Sequence, residues 1–186
     1  VTLSGGFADP GTLDSHTVTI DWGDGSPSSV VNLVAGDLII PAISHQYLDD
    51  NPTGTLAGDY SITVMVTDDD GGTGIGGTIV TVNNVAPSNV DLTLSAAAID
   101  ESNSVTLGGS FIDPGFQDSH TVVINWGPGE GTSTLNLAAG VLTFSATHQY
   151  LDDNPSGTSS DDYPISVTVT DDDLGVASVA THVTIN

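Results

Sequence analysis

The 186-residue sequence contains no lysine, no arginine and no cysteine. Five histidines face 24 acidic residues, for a formal charge of −24 at pH 7, so no network of Lys or Arg ion pairs can form. Missing basic residues exclude a surface that grips nucleic acid or anionic lipid, because phosphates are bound through Lys and Arg. Missing cysteine excludes disulfide staples and thiol redox chemistry. No apolar run reaches the length of a membrane-spanning helix, and no basic-then-apolar leader is present, so any signal peptide is expected to lie outside this stretch. Aromatic residues are few, two Trp, four Tyr and four Phe.

What is present is Asp and Gly. All acids except Glu101 and Glu130 are Asp, and there are 22 Gly; both residue types favour turns and disfavour helix interiors. Such a charge opposes compaction by self-repulsion. Disorder is set aside because 38% of the residues are hydrophobic and they alternate regularly, as core-forming strands do. A cation from solution is the expected neutraliser.

The chain repeats itself. Val1-Thr2-Leu3 and Phe7-Ala8-Asp9-Pro10-Gly11 return as Val105-Thr106-Leu107 and Phe111-Ile112-Asp113-Pro114-Gly115, an offset of 104. Asp14-Ser15-His16 returns as Asp118-Ser119-His120, and Ile20-Asp21-Trp22-Gly23 as Ile124-Asn125-Trp126-Gly127. After one deletion, at offset 103, His45 to Pro52 meets His148 to Pro155, Tyr60 meets Tyr163, and Thr67-Asp68-Asp69-Asp70 meets Thr170-Asp171-Asp172-Asp173. The expected domains are therefore 1–84, a linker at 85–88, and 89–186. The first copy lacks the leading stretch that 89–104 gives the second, so it is expected to be trimmed from an array or to take that strand from a neighbour.

Val18, Ile20 and Trp22 alternate with polar residues, as do Val122, Ile124 and Trp126, and this two-residue period marks half-buried strands with both Trp in cores. Tyr60, Ile62, Val64 and Val66 repeat the pattern, with Tyr163, Ile165, Val167 and Val169 as their copies. Early strands are expected at Val1 to Phe7 and Val105 to Phe111, late strands at Val80-Val82 and Val183-Ile185, and weaker ones between Leu33 and Ile43. Pro164 predicts a strand start or an edge. Six or seven short strands per hundred residues, with no helical period, predict an all-β chain of two tandem antiparallel β-sandwiches.

Trp22-Gly23-Asp24-Gly25-Ser26, followed by Tyr60-Ser61-Ile62-Thr63-Val64-Met65-Val66-Thr67-Asp68, resembles the WGDG and Y-x-V-x-(L/V)-x-V-x-D pattern of polycystic-kidney-disease (PKD) modules, which are immunoglobulin-like. The second copy departs at Trp126-Gly127-Pro128-Gly129-Glu130, where Pro128 replaces the Asp, so this turn reads as structural. The repeated Phe-x-Asp-Pro-Gly, His-Gln-Tyr-Leu-Asp-Asp-Asn-Pro and Thr-Asp-Asp-Asp stretches also resemble tandem-repeat bacterial surface proteins, cadherin-like arrays among them.

Calcium takes six to eight oxygens from carboxylates, carbonyls and water. The triplet Asp68-Asp69-Asp70 ends one expected strand and Asp9 ends another, so their oxygens converge if those ends share a pole. Strand alternation favours Asp68 and Asp70 over Asp69, and Asp171 and Asp173 over Asp172. The second copy adds Asp113 and, from its leading stretch, Glu101. Resemblance to calcium-binding PKD and cadherin-like modules supports these positions as ligands. Asn84, between the modules, could lend a carbonyl so that Ca2+ stiffens the joint. The rival reading is solvated turn chemistry. A second acidic group is Asp49-Asp50-Asn51 with Asp59, and Asp152-Asp153-Asn154 with Asp161 and Asp162.

Asp14-Ser15-His16 and its copy hold the residue types of a hydrolase triad, but neighbours on an extended segment point apart, and a triad needs convergence in space. His45-Gln46-Tyr47 reads as a His bonded to a loop rather than half of a zinc site. Glycoside hydrolysis would need a cleft with aromatic platforms. The expectation is no enzyme, but a calcium-stabilised structural or adhesive repeat of an extracellular bacterial surface protein or fibre. Its expected partners are neighbouring repeats, with homo-polymer formation by strand donation open. The alternative is a carbohydrate- or protein-binding accessory module of a secreted hydrolase.

Overall fold

A computed structural model of the chain describes residues 1–50, 54–153 and 157–186. Every regular element among these residues is a strand. The elements divide into two units. Residues 1–50 and 57–83 build the first, and 54–56 with 84–153 and 157–186 the second. Asn84 therefore groups with the second unit rather than with 1–84, because its side-chain amide bonds Asp171 there.

Unit 1 contains β1 (Thr2–Gly6), β2 (His16–Asp21), β3 (Ser29–Leu33), β4 (Ile39–Ser44), β5 (Ala57–Asp68) and β6 (Thr73–Asn83). They form sheets of order β1-β4 and β3-β2-β5-β6, antiparallel throughout. Unit 2 contains β7 (Ser88–Leu94), β8 (Ala98–Ile99), β9 (Ser104–Ile112), β10 (His120–Asn125), β11 (Thr132–Leu137), β12 (Thr143–Gln149), β13 (Asp161–Asp171) and β14 (Val176–Ile185). Its sheets run β12-β9-β7 and β11-β10-β13-β14-β8, with β8 joining β14 in parallel. The expected linker loses Ser88, where β7 begins.

Alternation does what the period predicts. Val18, Ile20 and Trp22 are fully buried, as are Val122 and Ile124 with Trp126 beside them. Each such side chain contributes roughly 1.5–3 kcal/mol by leaving water. Both indoles keep their polar tip satisfied, Trp22 Nε1 donating to Ser29 Oγ at 3.0 Å and Trp126 Nε1 to Ser133 Oγ at 2.9 Å. Pro164 does not start its strand, since β13 begins at Asp161 and lies inside the sheet order, but it sits where β13 is locally an edge. It is tolerated because β10 pairs with β13 only from Ser166 onward, so at Pro164 only β14 lies alongside.

Strand register sets the pole that matters. In unit 1, His16 at the start of β2 faces Asp68 at the end of β5, and in unit 2 His120 faces Asp171 in the same way. The β1–β2 loop carries Asp9 and Asp14, and the β9–β10 loop carries Asp113 and Asp118, to those same ends.

Candidate metal centre

Each Asp-Pro-Gly loop is tied by its own carboxylate. Asp113 Oδ1 accepts from the Gly115 amide at 2.9 Å, while Oδ2 faces His120 Nε2 at 2.9 Å. In unit 1, Asp9 Oδ1 accepts from the Gly11 amide and Oδ2 faces His16 Nε2, both at 2.7 Å. The chain then turns back, the Asp118 amide donating to the Gly115 carbonyl and the Asp14 amide to the Gly11 carbonyl. The Asp14 and Asp118 carboxylates fold so closely over Gly11 and Gly115 that a β-carbon there would collide with them. A side chain at either position would displace the carboxylate from over the turn.

The result in unit 2 is a group of three carboxylates, Asp113, Asp118 and Asp171, with one oxygen from each within 4.8 Å of the others. All three are at most 4% exposed. Unit 1 repeats the group as Asp9, Asp14 and Asp68, each half-buried. Asp118 also brings an oxygen within 4.8 Å of one on Asp173, which is fully buried. Asp173 Oδ1 accepts from the Gly54 amide at 2.7 Å, whereas its Oδ2 is buried with no hydrogen-bond partner.

Three buried anions at this spacing repel one another by roughly 3.5 kcal/mol per pair at an effective dielectric of about 20. No Lys or Arg exists to offset this. His120 contributes one nitrogen to Asp113, and its Nδ1 is buried without a partner. In unit 1, burial together with the charges of Asp69, Asp9, Asp70 and Asp68 pushes the Asp14 carboxyl above its ordinary value. The donor set is oxygen only. Opposite ligands of a calcium ion lie about 4.6–5.2 Å apart, twice the calcium–oxygen distance, so the residues fit one such cation per group.

Of the rest of the expected ligand set, Asp70 and Glu101 lie apart from these groups, whereas Asn84 touches Asp171. Asp70 is exposed, and its amide closes the turn onto Asp68 Oδ1 at 3.0 Å. Asp172 accepts from the Ser119 amide at 2.8 Å. Asn84 reaches Asp171 Oδ2 at 2.9 Å through its amide nitrogen, and a half-turn of that amide would present its oxygen instead. Glu101 does not join Asp113 and Asp171. It follows β8, its amide donates to the Asn186 carbonyl, and its carboxylate groups with Asp152 and Asp153. Asp171 is beside the start of β14 and Glu101 beside its end, and ten residues span roughly 33 Å.

The Glu101, Asp152 and Asp153 group is largely exposed. Tyr163 pins its loop by donating to the Asp152 carbonyl at 3.3 Å, as Tyr60 does to that of Asp49 at 2.9 Å. Asp59 and Asp162 are engaged elsewhere, by Thr81 and Thr184 hydroxyls. Asn51 and Asn154 lie outside the described residues.

Sequence reasoning left Asp14 and Asp118 out of the acidic groups, although each stands five residues after the Asp of its Asp-Pro-Gly turn. The histidine of the apparent triad turns instead to Asp9 or Asp113.

No protein-family model matches the chain, and no curated protein matches it by sequence. Among solved structures, a tetra-tandem repeat in the extending region of a large adhesion protein is similar over 100% of this chain, with 14% identity and a TM-score of 0.55. This chain is a tandem pair of immunoglobulin-like β-sandwiches. It spans 45% of the length of that adhesion-protein structure. An amphioxus IgVJ-C2 molecule is similar over 98% of this chain and 95% of its own, at 14% identity and a TM-score of 0.45.

Proposed function

We propose that this immunoglobulin-like pair is a calcium-stabilised structural and adhesive repeat of an extracellular bacterial surface protein or fibre, acting as a rigid spacer or assembly unit. The observation that carries this reading is the buried trio of Asp113, Asp118 and Asp171, with Asp118 also close to Asp173, a fully buried carboxylate that keeps one oxygen without a hydrogen-bond partner. Buried charge persists only when it is compensated; in a chain without Lys or Arg, His120, Asn84 and backbone amides offset part of the charge on Asp113 and Asp171, and a cation from solution would supply the rest. The same trio in unit 1 makes the cation a property of the repeat. In this role the metal is mechanical: it ties the loop after one strand to the end of another.

The resemblance to a repeat in the extending region of a large adhesion protein supports a spacer role. The accessory-module reading lacks a comparable support. It calls for an exposed aromatic platform, yet among the described residues Phe116 is the sole strongly exposed aromatic, and it lies on a loop.

Melting curves in chelator and in millimolar calcium test the proposal. Binding to the native state alone must raise the transition, and superimposable curves would remove the cation from the account.

A further inference from the structure

The two copies part chemically on the outer face of the sheet β3-β2-β5-β6, the face turned away from the core of unit 1. One cross-strand row there runs Val30, Thr19, Met65, Ile75, and a parallel row holds Ser61 and Ile79. Ile75 is 75% exposed, Ile79 65%, Val30 60% and Met65 39%. Between those rows Gly77, Thr63 and Asp21 stand opposite one another on β6, β5 and β2. Gly77 leaves a notch between the two isoleucines, and a β-carbon there would collide with the Ile62 carbonyl. The exposed Asp21 carboxylate closes the far end of this trough, two strand spacings or about 10 Å away.

The internal repeat serves as a control. At the matching places unit 2 has Thr134, Thr168 and Ser178 in the first row, Ala180 in the notch, Asn125 at its end and His182 beyond. Val123, in place of Thr19, is the one branched apolar residue among them. Ser178, Ala180 and His182 are exposed although β8 lies alongside β14, so this face stays open in a sandwich that has its leading strands. Asp21 Oδ1 accepts from the Gly23 amide, and Asn125 Oδ1 from the Gly127 amide, both at 3.0 Å. The turn therefore needs the oxygen but not the charge, and the charge of Asp21 is free for another use.

We infer that this trough binds a basic protein through a segment that presents one arginine or lysine between aliphatic residues. The stem of the basic side chain lies over Gly77 and Thr63 between Ile75 and Ile79, and its head meets Asp21; such side chains cover apolar surface with their stems while the head stays charged. The flanking aliphatic residues cover Met65 and Val30. Charge complementarity fixes the class of partner. This chain has no Lys or Arg and a charge of −24, so a second copy can neither supply the cation nor approach without repulsion. The surface gives the adhesive role a target chemistry and does not depend on calcium.

The test uses the whole chain and a short peptide with a single arginine flanked by valines, beside a twin with citrulline in its place, at about 0.15 M salt. Both are titrated in millimolar calcium and in chelator, so that failure of the calcium reading leaves the result intact. The readout is the amide chemical shifts. Saturable shifts are expected at Asp21, Thr63 and Gly77 in both buffers, with Asn125, Ser166 and Ala180 unmoved and the citrulline twin at least fivefold weaker. Asp21→Asn and Ile79→His copy the residues of unit 2 and so preserve the fold, and each is expected to weaken the arginine peptide at least fivefold. No saturation at millimolar peptide, shifts centred on the acidic loops, equal binding of the citrulline twin, or undiminished binding by either variant would each overturn the inference.

Discussion

His148 lies parallel to the indole of Trp126, ring centroids 5.0 Å apart, and its Nε2 meets Glu130 Oε2 at 2.8 Å. In unit 1, His45 stacks on Trp22 at 4.6 Å and meets Asp24 Oδ2 at 2.7 Å. The Asp of the first turn is replaced by Pro128, yet the carboxylate survives. It moves two residues along and gains a methylene, and that extra reach returns it to the same ring. The departure in the Trp-Gly-Asp-Gly motif is thus a substitution at constant function, and the function is to hold a histidine flat against the core tryptophan.

This pair carries a pH prediction. Burial works against the charge on Asp24, but the Ser26 hydroxyl, the His45 ring and the Ser26 amide outweigh it and hold the carboxyl below its ordinary value of 3.8. The folded state therefore binds this proton less readily than the unfolded chain. The associated stability is complete above pH 3.8 and is lost as the pH falls through the lowered folded value. Asp24→Asn is expected to cost about 1 kcal/mol at pH 7 and to flatten that acid limb. Melting temperatures from pH 5 to 2 for both proteins check it, and parallel limbs would refute it.

Strand periods were legible because alternation in Val18-Ile20-Trp22 and Val122-Ile124-Trp126 is a local property of the chain. Asp9 and Asp68 were legible as partners because one follows β1 in its loop and the other ends β5 at the same pole. Asp70 and Asp173 show where local reading ends. Both sit third in the same Thr-Asp-Asp-Asp stretch, yet Asp70 is exposed and Asp173 fully buried. The difference comes from Gly54 and Asn84, which reach Asp173 in unit 2 from distant sequence. Glu101 was assigned to the wrong pole because only the parallel pairing of β8 with β14 reveals which end it faces. Asp14 and Asp118 were hidden beside a Ser-His pair, and only the fold-back over glycine discloses them.

The carboxylate trio predicts a crossover. Asp118→Asn removes repulsion from Asp113 and Asp171, so in chelator it is expected to melt higher than the unsubstituted protein. In calcium it is expected to melt lower, because a ligand is gone. At a hundredfold excess over the dissociation constant, bound calcium stabilises by about 2.7 kcal/mol, or roughly 10–20 °C for a domain of this size. Calorimetry of unit 2 in both buffers checks this. A lower transition in chelator would argue that Asp118 holds the loop by hydrogen bonding alone.

Gly115→Ala probes the same group without altering a charge. A β-carbon at that position meets the Asp118 carboxylate directly, so the side chain must swing away from Asp113 and Asp171. Calcium affinity is expected to fall at least tenfold by titration calorimetry. Unchanged affinity would mean that Asp118 is not a ligand.

Tyr150 and Tyr47 separate burial from bonding. Each donates its hydroxyl to the carbonyl of the core tryptophan at 2.9 Å, Tyr150 to Trp126 and Tyr47 to Trp22. Tyr150 is fully buried and Tyr47 only half so. Burial, with Glu130 and Tyr163 nearby, pushes the Tyr150 hydroxyl far above its ordinary range and keeps it a donor at every usable pH. Removing that hydroxyl leaves the Trp126 carbonyl without its donor in a dry site, at a cost of about 1–3 kcal/mol, whereas water can replace the donor at Trp22 for about 0.5–1 kcal/mol. Tyr150→Phe is therefore expected to lower the transition of unit 2 by roughly 5–15 °C, and Tyr47→Phe to lower that of unit 1 by less than half as much. Both are measured in chelator, so that a shift in cation affinity does not mask the difference. Equal losses would mean that water reaches both carbonyls, and the two cores would then differ in wall but not in dryness.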